Sequence, residues 1–321
     1  MKTIALCVAL LACAATDPGY WTALRAVDGR MAEIAYRLAT GNAALCVDLA
    51  PTPGLQLHAI DQYDRDTQAD ARAAFGFARP VQVEAVVPDS SAERAGVRAD
   101  DALVAVDGEP VSEPAGTAAN TSATRDAAAA LVARQSASAP LRLTLERAGV
   151  RREVTLAPSP GCRSSFEVLL GPGLKASSNG QVVQVSAAWF ERLDDRQVAA
   201  IVAHELSHTI LRHRARLEAA GVKWGLLGEF GRNARLFART EAEADRLSVH
   251  LLRNAGYDPD AAVRFWRGPG RKLDGGPFRS ATHPSAKVRA DAIAAEVAVL
   301  PPPGQPDTAP AILATRDQPL N

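Results

Sequence analysis

The chain has 321 residues, and its 36 lysine and arginine residues equal its 36 aspartate and glutamate residues, so the formal net charge is zero. A neutral chain has no strong basic field, which argues against nucleic acid or an anionic lipid surface as its main partner. The hydrophobic content of 47% is that of a globular protein, and the length predicts about two domains. After the N-terminus no apolar run reaches the ~18 residues of a membrane-spanning helix, which argues against a polytopic membrane protease.

Residues 1–15, MKTIALCVALLACAA, have the pattern of an export signal. One lysine precedes a short apolar stretch that ends in small residues. The letters LLAC resemble a bacterial lipobox, in which Cys13 would become the lipidated first residue of the mature protein. The alternative is an ordinary cut beside the small residues Ala12 and Ala14. We therefore expect a periplasmic protein, anchored by lipid to the outer membrane if Cys13 is modified.

Two further cysteines, Cys46 and Cys162, would remain after loss of the signal and lipidation of Cys13. A single pair in an oxidising compartment predicts a disulfide. Such a bond would hold together the two connections of the module that lies between these positions. Two separate buried thiols are the alternative.

The N-terminal part of the mature chain, residues 17–65, predicts a helix followed by strands. Apolar residues recur at spacings of three and four over residues 17–45, and residues 46–63 alternate between apolar and polar. We expect this part to pack on the C-terminal domain. The polar stretch 61–72 is expected to mark a domain boundary.

Residues 66–158 predict a separate, β-rich module. It contains an alternating strand at 81–87, a helix at 124–134 and a hairpin at 141–156 that turns at Ala148-Gly149. The stretches PDSSAERAGV and DDALVAVDG make this module resemble a bacterial PDZ domain.

The resemblance to PDZ domains implies that the module binds C-terminal or extended peptide segments. In that comparison the backbone around Phe75, Gly76 and Phe77 would receive the peptide carboxylate. The Ala/Thr/Ser-rich stretch 113–123 is longer than is usual before the groove helix. A docking or lid domain with a closed groove is therefore the alternative.

Residues 160–299 predict a mostly helical domain. Residues 181–186, QVVQVS, form a strand pattern, and Asp194 with Gln197 forms a capping-box pattern for a helix that runs to about residue 217. Further helices are expected over residues 235–255 and 285–299. The Pro- and Asp-rich residues 300–321 predict a disordered tail.

Residues 204–208, HELSH, form an HExxH motif on the first of these helices. Residues at i and i+4 share a helix face, so His204 and His208 can bind one zinc ion. Glu205 lies beside that face and can act as general base on a metal-bound water. A solvated face of histidine and glutamate is the alternative reading of the motif.

A zinc site needs a third protein ligand, and the stretch TEAEAD at residues 240–245 supplies acidic candidates. Glu241 and Asp245 share a helix face, whereas Glu243 points elsewhere. We expect Glu241 to bind the metal and Asp245 to accept a hydrogen bond from a ligating histidine. Glu243 is expected to be a solvated residue.

The remaining histidines carry weaker signals. His213 is expected on a helix surface, His250 as a packed or solvated residue, and His58 carries no motif. His283 stands in a Thr-His-Pro turn before the last helix. It could occupy the open metal position, donate to the oxyanion of the tetrahedral intermediate, or simply cap the helix.

Three stretches of the C-terminal domain resemble the zinc metallopeptidases of the HtpX, CAAX-prenyl-protease-1 and BepA type. They are AAIVAHELSHTILRH, ARTEAEADRLSVHLLRNAGYDPDAAVRFW and THPSAKVRADAI. The resemblance implies an α+β fold, a mostly helical gluzincin-type peptidase core into which the PDZ-like domain is inserted. It also implies that His204, His208 and Glu241 bind one zinc ion per chain and that Glu205 is the base. Residues 175–178, KASS, depart from the Asn-Ala usual in the family before the strand.

The sequence as a whole predicts a zinc metalloendopeptidase of the cell envelope. The resemblance implies that its substrates are misfolded or unassembled envelope proteins. Strand 181–186 is the candidate edge onto which an extended substrate would add. A non-catalytic PDZ-bearing chaperone or scaffold lipoprotein is one alternative, against which the intact Glu205 argues. A zinc exopeptidase is the other, and no clear charged cluster for a chain terminus is visible in the sequence.

Overall fold

The computed structural model describes residues 18–113, 118–222, 231–273, 284–302 and 304–320. These residues form two compact units: the first contains residues 18–36 and 49–161, and the second contains residues 37–48 and the described residues from 162 onward. Over the described part of the chain, no helix combines the length and the apolar character needed to cross a membrane.

The first unit is built on an antiparallel sheet of six strands in the order β2-β3-β4-β6-β7, with β5 paired to β4. A separate pair is formed by β1 and β8. The strands are β1 (Leu49–Thr52), β2 (Leu55–Ala59), β3 (Val81–Val86), β4 (Ala102–Val106), β5 (Glu109–Pro110), β6 (Leu141–Arg147), β7 (Val150–Leu156) and β8 (Ser159–Cys162). The helices are α1 (Pro18–Gly41), which continues into the second unit, α2 (Gln68–Phe75), α3 (Ser91–Arg94) and α4 (Ala123–Ala133).

The core of this unit follows from the alternation of its strands. Inward-facing residues of β3, β4 and β6 pack against α4, and the core includes Val81, Val83, Leu103, Val106, Ala128, Val132, Leu141, Leu143 and Leu145. The hairpin expected at residues 141–156 is confirmed, since β6 and β7 pair from Leu141–Leu156 to Arg147–Val150. Ala148 and Gly149 both have positive φ, as a tight two-residue hairpin turn requires.

The expected domain boundary near residue 66 is wrong. Strand β2 pairs with β3 along its length, so the strands expected to pack on the C-terminal domain belong to the first unit. Only residues 37–48 of the N-terminal stretch lie in the second unit. Local alternation predicts that a strand exists but not which strand it pairs with, because pairing is a tertiary contact.

The second unit is mostly helical and carries a small sheet of three strands. The sheet order is β10-β11-β9, where β11 is antiparallel to β10 and parallel to β9. The N-cap expected at Asp194 is present, since its carboxylate accepts the N–H of Gln197 at 2.9 Å. The elements are β9 (Ser165–Leu169), β10 (Ala176–Ser178), β11 (Val182–Ser186), α5 (Ala187–Phe190), α6 (Asp195–Ile210), α7 (His213–Ala219), α8 (Gly231–Asn254), α9 (Asp260–Arg267) and α10 (Ala286–Val297).

The segment 37–48 is tied into the second unit by polar contacts and a covalent bond. Arg37 donates to the carbonyl of Ala255 at 3.0 Å. Cys46 and Cys162 form a disulfide with Cα atoms 5.4 Å apart. The bond closes a loop of 116 residues, for which chain entropy gives about 4–5 kcal/mol of stabilisation.

The C-terminal segment is packed, so the disordered tail expected over residues 300–321 is wrong for its described part. Asp307 accepts from His250 at 2.8 Å, and residues Ala311–Thr315 form a 3₁₀ helix. The side chains of Ile312 and Leu320 are only 2% exposed. The proline- and aspartate-rich composition suggested disorder, but these two apolar side chains and the buried polar contact hold the segment in place.

Because Ile312 is buried, replacing it with Ala should destabilise the second unit. Large-to-small changes of this kind cost about 2–5 kcal/mol through lost burial and the cavity that remains. Val299→Ala is the matched control, since Val299 is 72% exposed and its replacement should change the free energy of unfolding by less than about 0.5 kcal/mol. Urea unfolding would measure both. Equally small changes in the free energy of unfolding for the two variants would show that the C-terminal segment adds nothing to stability.

A pair of acids, half-buried Asp28 and buried Glu84, joins α1 to the sheet of the first unit. Asp28 of α1 is hydrogen-bonded to Glu84 of β3, and burial raises the pKa of Glu84 well above its usual range. Burial also raises the pKa of Asp28 to about 6. His58 lies 3.6 Å from Glu84, but burial lowers the pKa of His58 to about 3 and keeps the ring neutral. One proton shared by the two carboxyls is therefore retained to near-neutral pH.

A raised carboxyl pKa makes folding less favourable as pH rises. The unfolded Asp28 ionises near the ordinary aspartate pKa of 3.8, whereas the folded group holds its proton until about pH 6, so its contribution is full below pH 3.8 and lost as pH rises through 6. Asp28→Asn, whose Oδ1 can still accept from Glu84, should raise the melting temperature by a few degrees at pH 7.5 and by less at pH 4.5. The exposed control Asp66→Asn should show no such pH-dependent difference. A gain from Asp28→Asn that is equal at both pH values would contradict the shared proton.

Candidate metal centre

Helix α6 presents both histidines of the HExxH motif on one face. The Nε2 atoms of His204 and His208 lie 3.2 Å apart. The carboxylate of Glu241, on α8, lies 3.3 Å from His204 Nε2 and 3.5 Å from His208 Nε2. Among the described residues, these three side chains form a group of possible metal ligands. Their ligand atoms all lie within 4.8 Å of one another.

The spacing of the three donors fits zinc. In a tetrahedral site with zinc–ligand bonds of about 2.1 Å, neighbouring donor atoms lie about 3.4 Å apart. The three observed separations of 3.2, 3.3 and 3.5 Å agree with this value. A donor set of two imidazoles and one carboxylate is also that of catalytic zinc, with a fourth position left for water.

The charge state of Glu241 suits a cation ligand. Burial alone would raise its pKa, but a hydrogen bond from His204 and the neighbouring positive charges hold the pKa well below its usual range. Glu241 is therefore a carboxylate in the folded protein. Glu243, two residues further on, faces away from the donors, as the helical spacing predicts.

Glu205 lies next to the donor set in the same helix and is 8% exposed. Burial raises the pKa of Glu205 to about 7. A carboxyl group with a pKa near the working pH can both take and return a proton, which is what a general base in hydrolysis must do.

Asp245 holds His204 from the side opposite the donors. Its carboxylate lies 3.0 Å from His204 Nδ1 and accepts the proton of that nitrogen, so Nε2 is the atom of this ring that can bind a metal. Arg289 of α10 donates two hydrogen bonds of 2.7 Å to Asp245 and lies over the Trp266 ring at 3.7 Å. Sequence reasoning missed Arg289, because its partner lies 44 residues away and no spacing rule connects them.

The expectations for His213 and Glu243 are both wrong. His213 is 1% exposed, and its Nδ1 lies 2.9 Å from Nδ1 of His208. Glu243 is buried as well and accepts from Arg216 at 2.6 Å. The helix expected to run through residue 217 is interrupted at Arg212, whose φ of 54° is left-handed. The chain therefore turns, and His213 does not continue the face of α6 from which its surface position was predicted.

A cleft of about 710 Å³ contains the donor set. It is bordered on one side by residues 174–180, which include strand β10, and on another by the aromatic side chains of Trp189, Phe265 and Trp266. The strand expected as the substrate edge, residues 181–186, is wrong in this role, because β11 is paired on both sides. Strand β10 is the edge that faces the cleft.

The residues predicted to receive the peptide carboxylate, Phe75, Gly76 and Phe77, do not form such a loop in the structure. Phe75 and Phe77 are buried in an aromatic cluster of the first unit with Trp21 and Ile60. Gly76 ends helix α2 in a left-handed conformation, and its N–H donates to the carbonyl of Arg72. This backbone is occupied in ending a helix, so the carboxylate-binding loop expected here is wrong.

Two other predicted positions cannot be placed. The lipidation candidate Cys13 and the active-site candidate His283 both lie outside the described residues.

Comparison with known protein families agrees with the two-unit architecture. The model of the PDZ domain matches residues 82–147, in the first unit. The model of peptidase family M48 matches residues 219–297, in the second. The chain carries a PDZ domain and a peptidase M48 segment. The M48 match includes Glu241, Asp245 and Arg289 and begins after the HExxH helix, which the geometry above connects to it. The matches support a metallopeptidase with a PDZ domain, of mixed helix and sheet structure.

If Glu241 is the third ligand, Glu241→Ala should lower zinc affinity by at least about 100-fold, more than the loss of an outer hydrogen-bond partner costs. Competition with a chromophoric chelator would measure it. Glu218→Ala, at an exposed glutamate of α7, is the control and should keep full zinc affinity. Full zinc occupancy in Glu241→Ala would exclude this residue as a ligand.

Proposed function

We propose that this protein is a zinc-dependent metalloendopeptidase of the bacterial cell envelope that cleaves misfolded or unassembled envelope proteins. The observation that carries the proposal is the donor set His204, His208 and Glu241, with separations that fit tetrahedral zinc and with Glu205 beside them. A site built only to stabilise the fold would have no use for a buried carboxyl that lies beside the donor set without belonging to it.

The chemistry is divided between the metal and the protein. When bound, zinc would polarise the scissile carbonyl and make its water a better nucleophile. Glu205 accepts the proton of the attacking water and returns it to the leaving amine. Asp245 keeps His204 in the tautomer that binds metal, and Arg289 keeps Asp245 in place.

The cleft supports an extended polypeptide as substrate. An extended segment can add to the open edge of β10 through backbone hydrogen bonds, which do not depend on its sequence. The aromatic side chains on the other side of the cleft provide an apolar surface for a substrate side chain. Unfolded proteins expose both features, a free backbone and apolar side chains.

The PDZ domain provides a second place for peptide recognition. Strand β2 is the last strand of its sheet, and helix α4 packs beside it. A peptide that lies between them would extend the sheet by one strand. We place the peptide groove of this domain there, in place of residues 75–77. A domain with a closed groove that acts as a lid is the alternative.

The proposed location rests on the sequence of residues 1–15 and on the cysteines. A signal of this type predicts export, and Cys13 is the candidate for lipidation. The disulfide between Cys46 and Cys162 supports an oxidising compartment, since such bonds are rare where thiols are kept reduced.

Cleavage of unfolded casein by the purified protein tests the enzyme proposal. We expect internal cleavage that a chelator abolishes and added zinc restores. Glu205→Gln should retain zinc but lower the rate by about 10²–10⁴-fold, because it removes the base and keeps the ligands. Glu191→Gln, an exposed glutamate outside the cleft, should cleave normally.

The product pattern separates the alternatives. Mass spectrometry of fragments that shorten only from one end would indicate an exopeptidase. Zinc binding without any cleavage would favour a chaperone or scaffold. Activity of Glu205→Gln equal to that of the unaltered protein would contradict the role of Glu205.

A further inference from the structure

The two zinc-ligating histidines are held by different partners. His204 Nδ1 lies 3.0 Å from the carboxylate of Asp245. His208 Nδ1 lies instead 2.9 Å from Nδ1 of a third histidine, His213. On its other side, His213 Nε2 lies 3.2 Å from the carboxylate of Glu243. Nothing in the proposed function accounts for this buried chain of side chains.

The donors and acceptors in this chain can be assigned. Glu243 is a carboxylate, because it is paired with two arginines, Arg216 at 2.6 Å and Arg239 at 3.0 Å. A carboxylate only accepts, so Nε2 of His213 must carry a proton. A histidine that binds zinc through Nε2 carries its proton on Nδ1, so the proton between the two rings belongs to Nδ1 of His208 and Nδ1 of His213 accepts it. Nε2 of His208 is thereby left unprotonated, as metal binding requires.

We propose that His213 is a positioning residue that fixes the tautomer and ring orientation of the zinc ligand His208 by accepting a hydrogen bond from its Nδ1. This inference rests on the proposed zinc site and adds to it a residue that no spacing rule in the sequence assigns. His213 accepts a hydrogen bond from Nδ1 of His208, as Asp245 does from Nδ1 of His204. The acceptor is a neutral imidazole nitrogen in the first case and a carboxylate in the second.

The far end of the chain reaches the C-terminal segment. Glu243 accepts from Arg216 at 2.6 Å and from Arg239 at 3.0 Å, and the Thr315 hydroxyl lies 3.4 Å from the same carboxylate. Arg216 also donates to the carbonyl of Gln318 at 3.0 Å. The packed C-terminal segment therefore helps to hold Glu243, which holds His213.

Two nearly isosteric variants separate hydrogen bonding from packing. In His213→Asn, Oδ1 takes the position of the imidazole Nδ1 and can accept from His208. In His213→Leu, a side chain of similar size offers no acceptor. Leucine suits a buried site better than asparagine, so any loss of fold stability should be greater for the asparagine variant. If His213 acts through its hydrogen bond, zinc affinity should instead fall more in the leucine variant than in the asparagine variant.

Zinc affinity by chelator competition and the visible absorption of the cobalt-substituted protein are the readouts. We expect His213→Leu to bind zinc about 10–100-fold more weakly and to show altered cobalt bands, since loss of such a partner misplaces the ligand. His213→Asn should recover most of the affinity, to within about threefold of the unaltered protein. The control is His250→Leu, a buried histidine on α8 that bonds to Asp307 and Glu296 and touches no zinc ligand. It should bind zinc normally.

Three results would overturn the inference. They are normal zinc affinity in His213→Leu, equal losses in His213→Leu and His213→Asn, and an equal loss in His250→Leu. Absence of zinc binding by the unaltered protein would instead reject the proposed metal site, and this inference with it. The unaltered protein therefore shows which of the two has failed.

Discussion

The packing of helix α6 against helix α8 is the contact on which the candidate metal centre depends, because neither helix alone carries a complete donor set. Helix α6 supplies two imidazoles and helix α8 supplies the carboxylate. Several charged groups around this contact are buried, among them Asp245, Glu243 and Arg289. A buried charge is tolerated only when it is paired and hydrogen-bonded. The surrounding elements α7, α10 and the C-terminal segment provide those partners.

This requirement explains why so much of the second unit is arranged around one site. Arg289 brings α10 to Asp245, and Arg216 brings α7 to Glu243. Each arginine donates to an acid that the fold removes from water. Removing either arginine would leave a buried carboxylate without its main partner, which costs more than the pair contributes when intact. The candidate metal centre and the fold of this unit are therefore stabilised by the same ion pairs.

The sequence predicted what depends on spacing along one helix. His204 and His208 at i and i+4, and Glu241 with Asp245 on one face of α8, all lie where the helical period puts them. The prediction failed where one residue changes the direction of the chain. The left-handed Arg212 separates His213 from α6, and no periodic pattern reports such a break in advance. It also failed for strand pairing: β11 is a central strand and β10 is the edge, a difference set by partners rather than by alternation.

The disulfide has a consequence for how the two units respond to stress. Residues 49–161 leave the second unit just after Cys46 and return just before Cys162, where the Cα atoms are 5.4 Å apart. Opening of this long stretch by heat, denaturant or a pulling force would not separate its two ends, since the covalent bond bypasses them. A force applied across Cys46 and Cys162 would be carried by the disulfide and not by the residues between them. An opening of residues 49–161 therefore leaves residues 37–48 joined covalently to Cys162 at the start of the rest of the second unit.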